Sequence, residues 1–207
     1  MRPQARNLIL SNLLTLVLAL ILHWEPAWLV WPYWIQSVVI GWYARKRMLA
    51  LDRFSTEGFT SNDRPVPEDE RGKRSTATFF SLHYGLFHLA YLVFLCIQHP
   101  VAAPRDLTLL ALCGLSFVLA QRQTYQVQHA ADLRGRPNLG SLMFLPYIRI
   151  LPMHLIILAG GAISGGTFTL VAFTVLKTLA DLGLDAADRR IAENAARRAA
   201  PAPRTEG

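Results

Sequence analysis

The run Ser75–Pro104, STATFFSLHYGLFHLAYLVFLCIQHPVAAP, contains no Asp, Glu, Lys or Arg. A charge-free apolar run of about 20 residues is long enough to cross a bilayer as a helix. Asn7–Trp24 and Pro26–Ala44 are free of the same residues. The whole chain of 207 residues is 52% apolar and 17% charged, against about 45–50% and about 25% for soluble domains. Its charges are clumped between apolar runs rather than spread over a hydrated surface. This excludes a soluble globular enzyme, a disordered chain and, with two cysteines, a disulfide scaffold. The pattern is that of an all-α polytopic membrane protein.

Six spans are predicted, over residues 7–23, 28–44, 76–97, 107–127, 144–163 and 167–184. An even number places the N-terminus, the charged loop 45–75, the connection 128–143 and the tail 185–207 on one side. With Arg122, at the emerging end of the fourth span, that side holds 18 of the 21 Lys and Arg; the other holds Arg105 alone. Basic residues mark the cytoplasmic side. The sequence therefore reads as a single transmembrane domain, a six-helix integral inner-membrane bundle with both termini cytoplasmic (N-in/C-in). The fourth span rests on this allocation, because 107–120 is short and the polar run Gln121–Gln126 follows. The net charge of +7 is then topology, with some attraction to anionic lipid. No basic and aromatic motif marks a nucleic-acid partner. The basic start Met1–Arg6 and apolar Leu8–Leu22 imitate a signal peptide. Trp24, Glu25 and Pro26 stand where a cleavage site needs small residues, so an uncleaved first span is expected.

Trp24, Trp28, Trp31, Trp34 and Tyr33 crowd the first turn. Such rings favour the headgroup layer, and an outer aromatic belt is the expectation, with a ligand-stacking box as the second reading. The segment Leu51–Arg74 is too polar to fold alone and reads as a mobile linker. The tail suits a short helix continuing from the sixth span and fraying at Pro201 and Pro203. Cys96 and Cys113 read as packed thiols.

Ionisable groups within spans cost about 2.5–3.5 kcal/mol each at the helix centre and mark function by default. His83 and His88 lie on the third span, Arg149 and His154 on the fifth, Lys177 and Asp181 on the sixth. Asn12 and Gln36 add neutral groups on the first two. Thr174, Lys177, Thr178 and Asp181 follow one helical stripe, and Tyr84, His88 and Tyr91 another; His83 is rotated by about 140° from His88. Pro152 removes a backbone donor and kinks the fifth span. The combination predicts a shared polar site in the cytoplasmic half that binds a small ligand or ion, for transport or intramembrane chemistry. In it Lys177 and Arg149 hold anionic groups, His83 and His154 donate, accept or ligate, and Asp181 orients a partner.

Other readings stand beside this one. Lys177 and Asp181 neutralise each other, Arg149 snorkels to headgroups, and the histidines serve as interhelical hydrogen bonds. The protein is then a structural or assembly partner, in a complex or a homo-oligomer. His83, His154 and Asp181 form a conceivable metal set, although no HExxH motif is present. A haem between two histidines with a propionate on Arg149 is a further possibility. The His83-x4-His88 pair and Ser164 among glycines resemble rhomboid proteases, but the sixth span has no histidine to activate a serine.

The pieces Asn7, Asn12, Tyr33-Trp34, Phe79-Phe80-x2-His83-Tyr84-Gly85-x-Phe87, Pro146-Tyr147-x-Arg149-Ile150-x3-His154 and Lys177-Thr178-x2-Asp181 are found together in this chain. The combination resembles an uncharacterised family of small bacterial inner-membrane proteins, a domain of unknown function. The resemblance implies a six-helix membrane fold and supplies no activity. Where the family commonly carries an acidic residue after Tyr-Trp, this chain has Gln36, which removes a charge or metal ligand.

Overall fold

The computed structural model describes Leu13, Val17, Leu20, Ile21 and residues 27–101, 103–159 and 167–199. The span expected over 7–23, with Asn12, lies almost wholly outside the described residues. Within them are five helices: α1 Ala27–Leu49, α2 Glu70–Gln98, α3 Pro104–Arg134, α4 Leu139–Ala159 and α5 Thr167–Ala199. One antiparallel ribbon, β1 Thr60–Ser61 with β2 Arg64–Pro65, joins α1 to α2. The fold is all-α.

Local chemistry sets the helix ends. The Asp69 carboxylate caps α2 by accepting from the Gly72 N–H at 2.8 Å, satisfying a donor that has no partner inside the helix. A Cβ at Gly72 would run into the Pro67 carbonyl, so the chain enters α2 only through a glycine. Glu70 sits in the first turn, where negative charge suits the helix dipole. Its hydrogen bond to Lys73 holds the carboxyl below the usual glutamate range. Pro104 opens α3, where a missing N–H costs nothing.

α1 is the centre, packing on α2, α3 and α4, while α4 also packs on α5. Ala77, Phe80, Tyr84, His88, Tyr91 and Leu95 form the buried stripe of α2, at the spacing of one helix face. Phe80, Tyr84, Tyr91 and Leu95 join Tyr33, Met48, Leu139 and Ile150 in the core. The opposite face of α2 exposes Phe79, Leu82, Leu86, Leu89 and Val93, and α3 exposes Leu107, Leu112, Leu115 and Leu119. Among the described residues, these two helices are long and apolar enough to cross a membrane. Exposed apolar faces of this extent mark contact with lipid or a partner.

Three expectations are corrected. The segment Leu51–Arg74 is a docked loop rather than a free linker. It buries Leu51, Phe54 and Val66, and Ser55 exchanges backbone bonds with Pro137 and Leu139 at 2.9 and 2.8 Å. Asn62 and Asp63 take positive φ in its hairpin turn, which such residues tolerate. The loop is too polar to make a core, but three apolar side chains are enough to join one. Secondly, the connection 128–143 is mostly helical, since α3 runs to Arg134 and α4 starts at Leu139. Thirdly, Trp31 and Trp34 donate from Nε1 to the His99 and His88 carbonyls at 2.8 and 2.9 Å. They tie α1 to α2, a role that composition did not reveal; the side chains of Trp24 and Trp28 lie outside the described residues.

A buried ion pair closes the end of the bundle where α1 and α3 finish. Arg47 Nε and Nη2 reach Asp132 at 2.6 and 2.9 Å, and Nη1 reaches Asp188 at 2.8 Å. Gln128 donates to the other Asp188 oxygen at 2.9 Å. Burial pushes the Arg47 guanidinium down, but the bonds and charges of Asp132 and Asp188 outweigh it and raise its pKa above the ordinary arginine value. The Arg47 and Asp132 side chains are only 6% and 4% exposed. Asp132→Ala leaves the buried Arg47 with Asp188 as its remaining carboxylate and should therefore destabilise the protein by about 3 kcal/mol, while the apolar pair Arg47→Met/Asp132→Leu recovers most of the loss. Thermal unfolding in detergent of the two variants checks this.

Candidate functional site

Successive turns of α1 present Tyr33, Gln36 and Ser37 to the middle of the bundle, where α4 brings Arg149 and α5 brings Lys177 and Asp181. Arg149 Nη1 donates to Asp181 Oδ1 at 2.6 Å, and Lys177 Nζ donates to Oδ2 at 2.7 Å. Arg149 Nη2 donates to Gln36 Oε1, and the Tyr33 hydroxyl donates to the Arg149 carbonyl. The guanidinium carbon lies 5.2 Å from the centre of the Tyr33 ring, a cation–π distance. Arg149 and Asp181 are almost fully buried, at 8% and 5% side-chain exposure. The Arg149 Nε–H is buried and has no acceptor among the described residues. Helical spacing explains the α5 contribution, since Lys177 and Asp181 stand one turn apart on the predicted stripe.

The histidines are elsewhere. His83 Nδ1 meets the Tyr147 hydroxyl at 2.8 Å, and the Tyr91 hydroxyl meets His154 Nδ1 at 2.7 Å, both between α2 and α4. His88 Nδ1 donates to the Tyr84 carbonyl at 2.9 Å, because a carbonyl can only accept. The Tyr84 hydroxyl crosses to the Ser37 carbonyl at 2.9 Å. His83 is exposed while His88 is buried, as the angle between them on an unbroken helix requires.

Of the predicted site residues, the structure joins Arg149, Lys177, Asp181 and Gln36. Tyr84 and His88 belong to the α1–α2 packing, and His83 and His154 pair with separate tyrosines. Asn12 and Ser164 lie outside the described residues. The proposed metal set of His83, His154 and Asp181 does not assemble: among the described residues no three His, Cys, Asp or Glu side chains come together. Each of the three is already held by a different partner: His83 by Tyr147, His154 by Tyr91, and Asp181 by Arg149 and Lys177. Cys96 and Cys113 are free thiols, Cys96 exposed.

A cavity of about 370 Å³ opens beside the Arg149 node, between α1, α3, α4 and α5. Arg149 lines it together with Arg47, Asp185 and Asp188; Gln121, Thr124 and Gln128 of α3 form a polar wall, and Leu142, Leu145, Pro146 and Leu184 an apolar one. Of the five residues His83, Arg149, His154, Lys177 and Asp181, this cavity is lined by Arg149. Sequence reasoning missed the α3 wall and the outer carboxylates. Their signal was the same helical spacing: Gln121, Thr124 and Gln128 share a face, and Asp185 and Asp188 extend the Thr174–Asp181 stripe.

Residues 1–199 match a family of unknown function, DUF6498. The chain belongs to this family. That agrees with the resemblance carried by its motif residues, several of which hold the Arg149 node and the tyrosine–histidine pairs. No curated protein and no solved structure matches the chain. Family membership brings no activity with it, and the chemistry must be read from the DUF6498 residues themselves.

The node and the pairs differ in energetic weight. Arg149→Leu leaves Asp181 buried with half of its counter-charge and should cost about 3–5 kcal/mol. Tyr91→Phe removes one hydrogen bond and should cost about 1 kcal/mol. Unfolding midpoints of the two variants in one detergent check the ranking.

Proposed function

We propose that this is a multi-pass inner-membrane protein, with both termini cytoplasmic, whose polar site in the cytoplasmic half binds a small ligand or ion for transport or intramembrane chemistry. The carrying observation is the cavity whose inner wall is the buried Arg149. A buried cation beside open volume is a group held ready for something that enters. The orientation is supported by the gathering of basic residues at one end of the bundle. Arg47 bonds Asp188, Arg136 bonds Glu68 and Arg198 bonds Glu57 there, whereas Arg105 stands at the opposite end of α3. The apolar outer faces of α2 and α3 support the membrane assignment.

A second reading, in which polar residues only lock helices together, is favoured by one observation. His83 with Tyr147 and His154 with Tyr91 pair off locally and do not line the cavity beside Arg149. Interhelical bonds of this sort contribute about 0.6 kcal/mol each in a membrane. Both roles coexist here, with locking on the α2–α4 side and binding on the α3–α5 side.

Labelling separates them. In a chain with Cys96 and Cys113 replaced by Ser, Thr124→Cys should react with a membrane-impermeant maleimide from the cytoplasmic side only. Adding Leu145→Trp, which fills the cavity, should slow that reaction several-fold. Reaction from the opposite side overturns the orientation, and an unchanged rate with L145W overturns the cavity as the route.

A further inference from the structure

We infer that one phospholipid molecule is held in the outer seam between α1 and α2, its phosphate on Arg45 and one acyl chain along the groove below. The inference rests on the membrane assignment above and is independent of the Arg149 cavity. The groove has a volume of about 310 Å³ and is formed by two facing stripes, with Gly41, Trp42 and Arg45 on α1 and Ser81, Gly85 and His88 on α2. Residues three, four and seven apart share a helix face, so the two stripes run side by side along the seam. From Arg45 to Val38, which also lines it, the groove descends by about 10 Å, against about 15 Å for the hydrocarbon of one leaflet. Its walls are mostly apolar, and its charge is confined to the Arg45 end.

Charge decides the head of the occupant. Among the described residues that line the groove, Arg45 alone is charged. Its exposed guanidinium has no acceptor among the described residues. A phosphate diester is the complementary anion that a bilayer supplies at the headgroup layer, and guanidinium–phosphate pairs are among the stronger hydrogen bonds. Trp42, 65% exposed on the same stripe, suits that layer too. Glycine decides the tail. Inside a helix, glycine costs stability relative to alanine. Gly41 has its reason within the chain, because a Cβ there would strike the Tyr84 ring. Gly85 has no such reason, because a Cβ there would meet nothing within 4 Å. The space left open at Gly85 is part of the groove, and an acyl chain fills it.

Native mass spectrometry of the full chain tests this. The protein is stripped of lipid in detergent and titrated with phosphatidylglycerol, or with a diacylglycerol of the same acyl chains. The chain should retain one phosphatidylglycerol, and the diacylglycerol about tenfold less well, as expected for the loss of one charged hydrogen-bond partner. Arg45→Gln should lower retention of phosphatidylglycerol by a similar factor, and so should Gly85→Phe, whose ring occupies the groove. Arg122→Gln, which removes an exposed cation of α3 outside the groove, should retain the lipid as the unaltered chain does. Wild-type retention by either groove variant, equal retention of diacylglycerol, or an equal loss in R122Q overturns the inference. A lipid-free pair of chains in place of the lipid adduct also overturns it and assigns the seam to a second copy. Should Gly85→Phe fail to fold, Arg45→Gln decides alone, since its side chain is exposed and unpaired among the described residues. The T124C labelling reads orientation and the Arg149 cavity without reference to the seam, so the two readings fail separately.

Discussion

A guanidinium packed among apolar helices must find its counter-charge within the protein, because burial strips away most of its hydration. Arg149 meets this demand through Asp181 of α5 and Gln36 of α1. The three helices are thereby fixed in register, since losing any one partner leaves buried charge or an unmet donor. Tyr33 adds its ring and hydroxyl to the same residue. Packing then completes what electrostatics starts: Tyr84 lies against Gly41, a close approach that a larger residue at position 41 would block. The cavity exists because α3 stands off from this node, facing it with amides and a hydroxyl rather than with apolar bulk.

Gln36 shows how a single change of charge alters such a site. An acid at this position would give Arg149 two carboxylates, and the node would be neutral even after counting Lys177. The amide keeps the hydrogen bond and withholds the charge.

Much of this was legible in the residues. Helical class follows from the charge-free runs, and the Lys177–Asp181 and Arg149–Asp181 contacts follow from stripe spacing and the cost of burial. The partners of the histidines were not legible. Spacing shows that His83 and His88 diverge, but not which tyrosine each neighbouring helix offers. The loop after α1 was misread because composition measures whether a segment can fold alone, whereas Leu51, Phe54 and Val66 only needed a core already built by others. The α3 wall was visible as a stripe, but a stripe of amides near a helix end looks the same whether it faces water or a cavity.

Helix α5 runs unbroken from Thr167 to Ala199, and its rod carries Asp181 of the inner node and Asp188 of the outer one. Two turns, about 10 Å, separate them. Farther along, the Ala195 carbonyl accepts from the Arg136 N–H at 3.1 Å. A rotation or slide of this one lever would loosen both clasps together and tug the α3–α4 elbow with them. The two ends of the cavity are mechanically geared, so an event at the charged rim is felt by the guanidinium in the interior without any intervening loop.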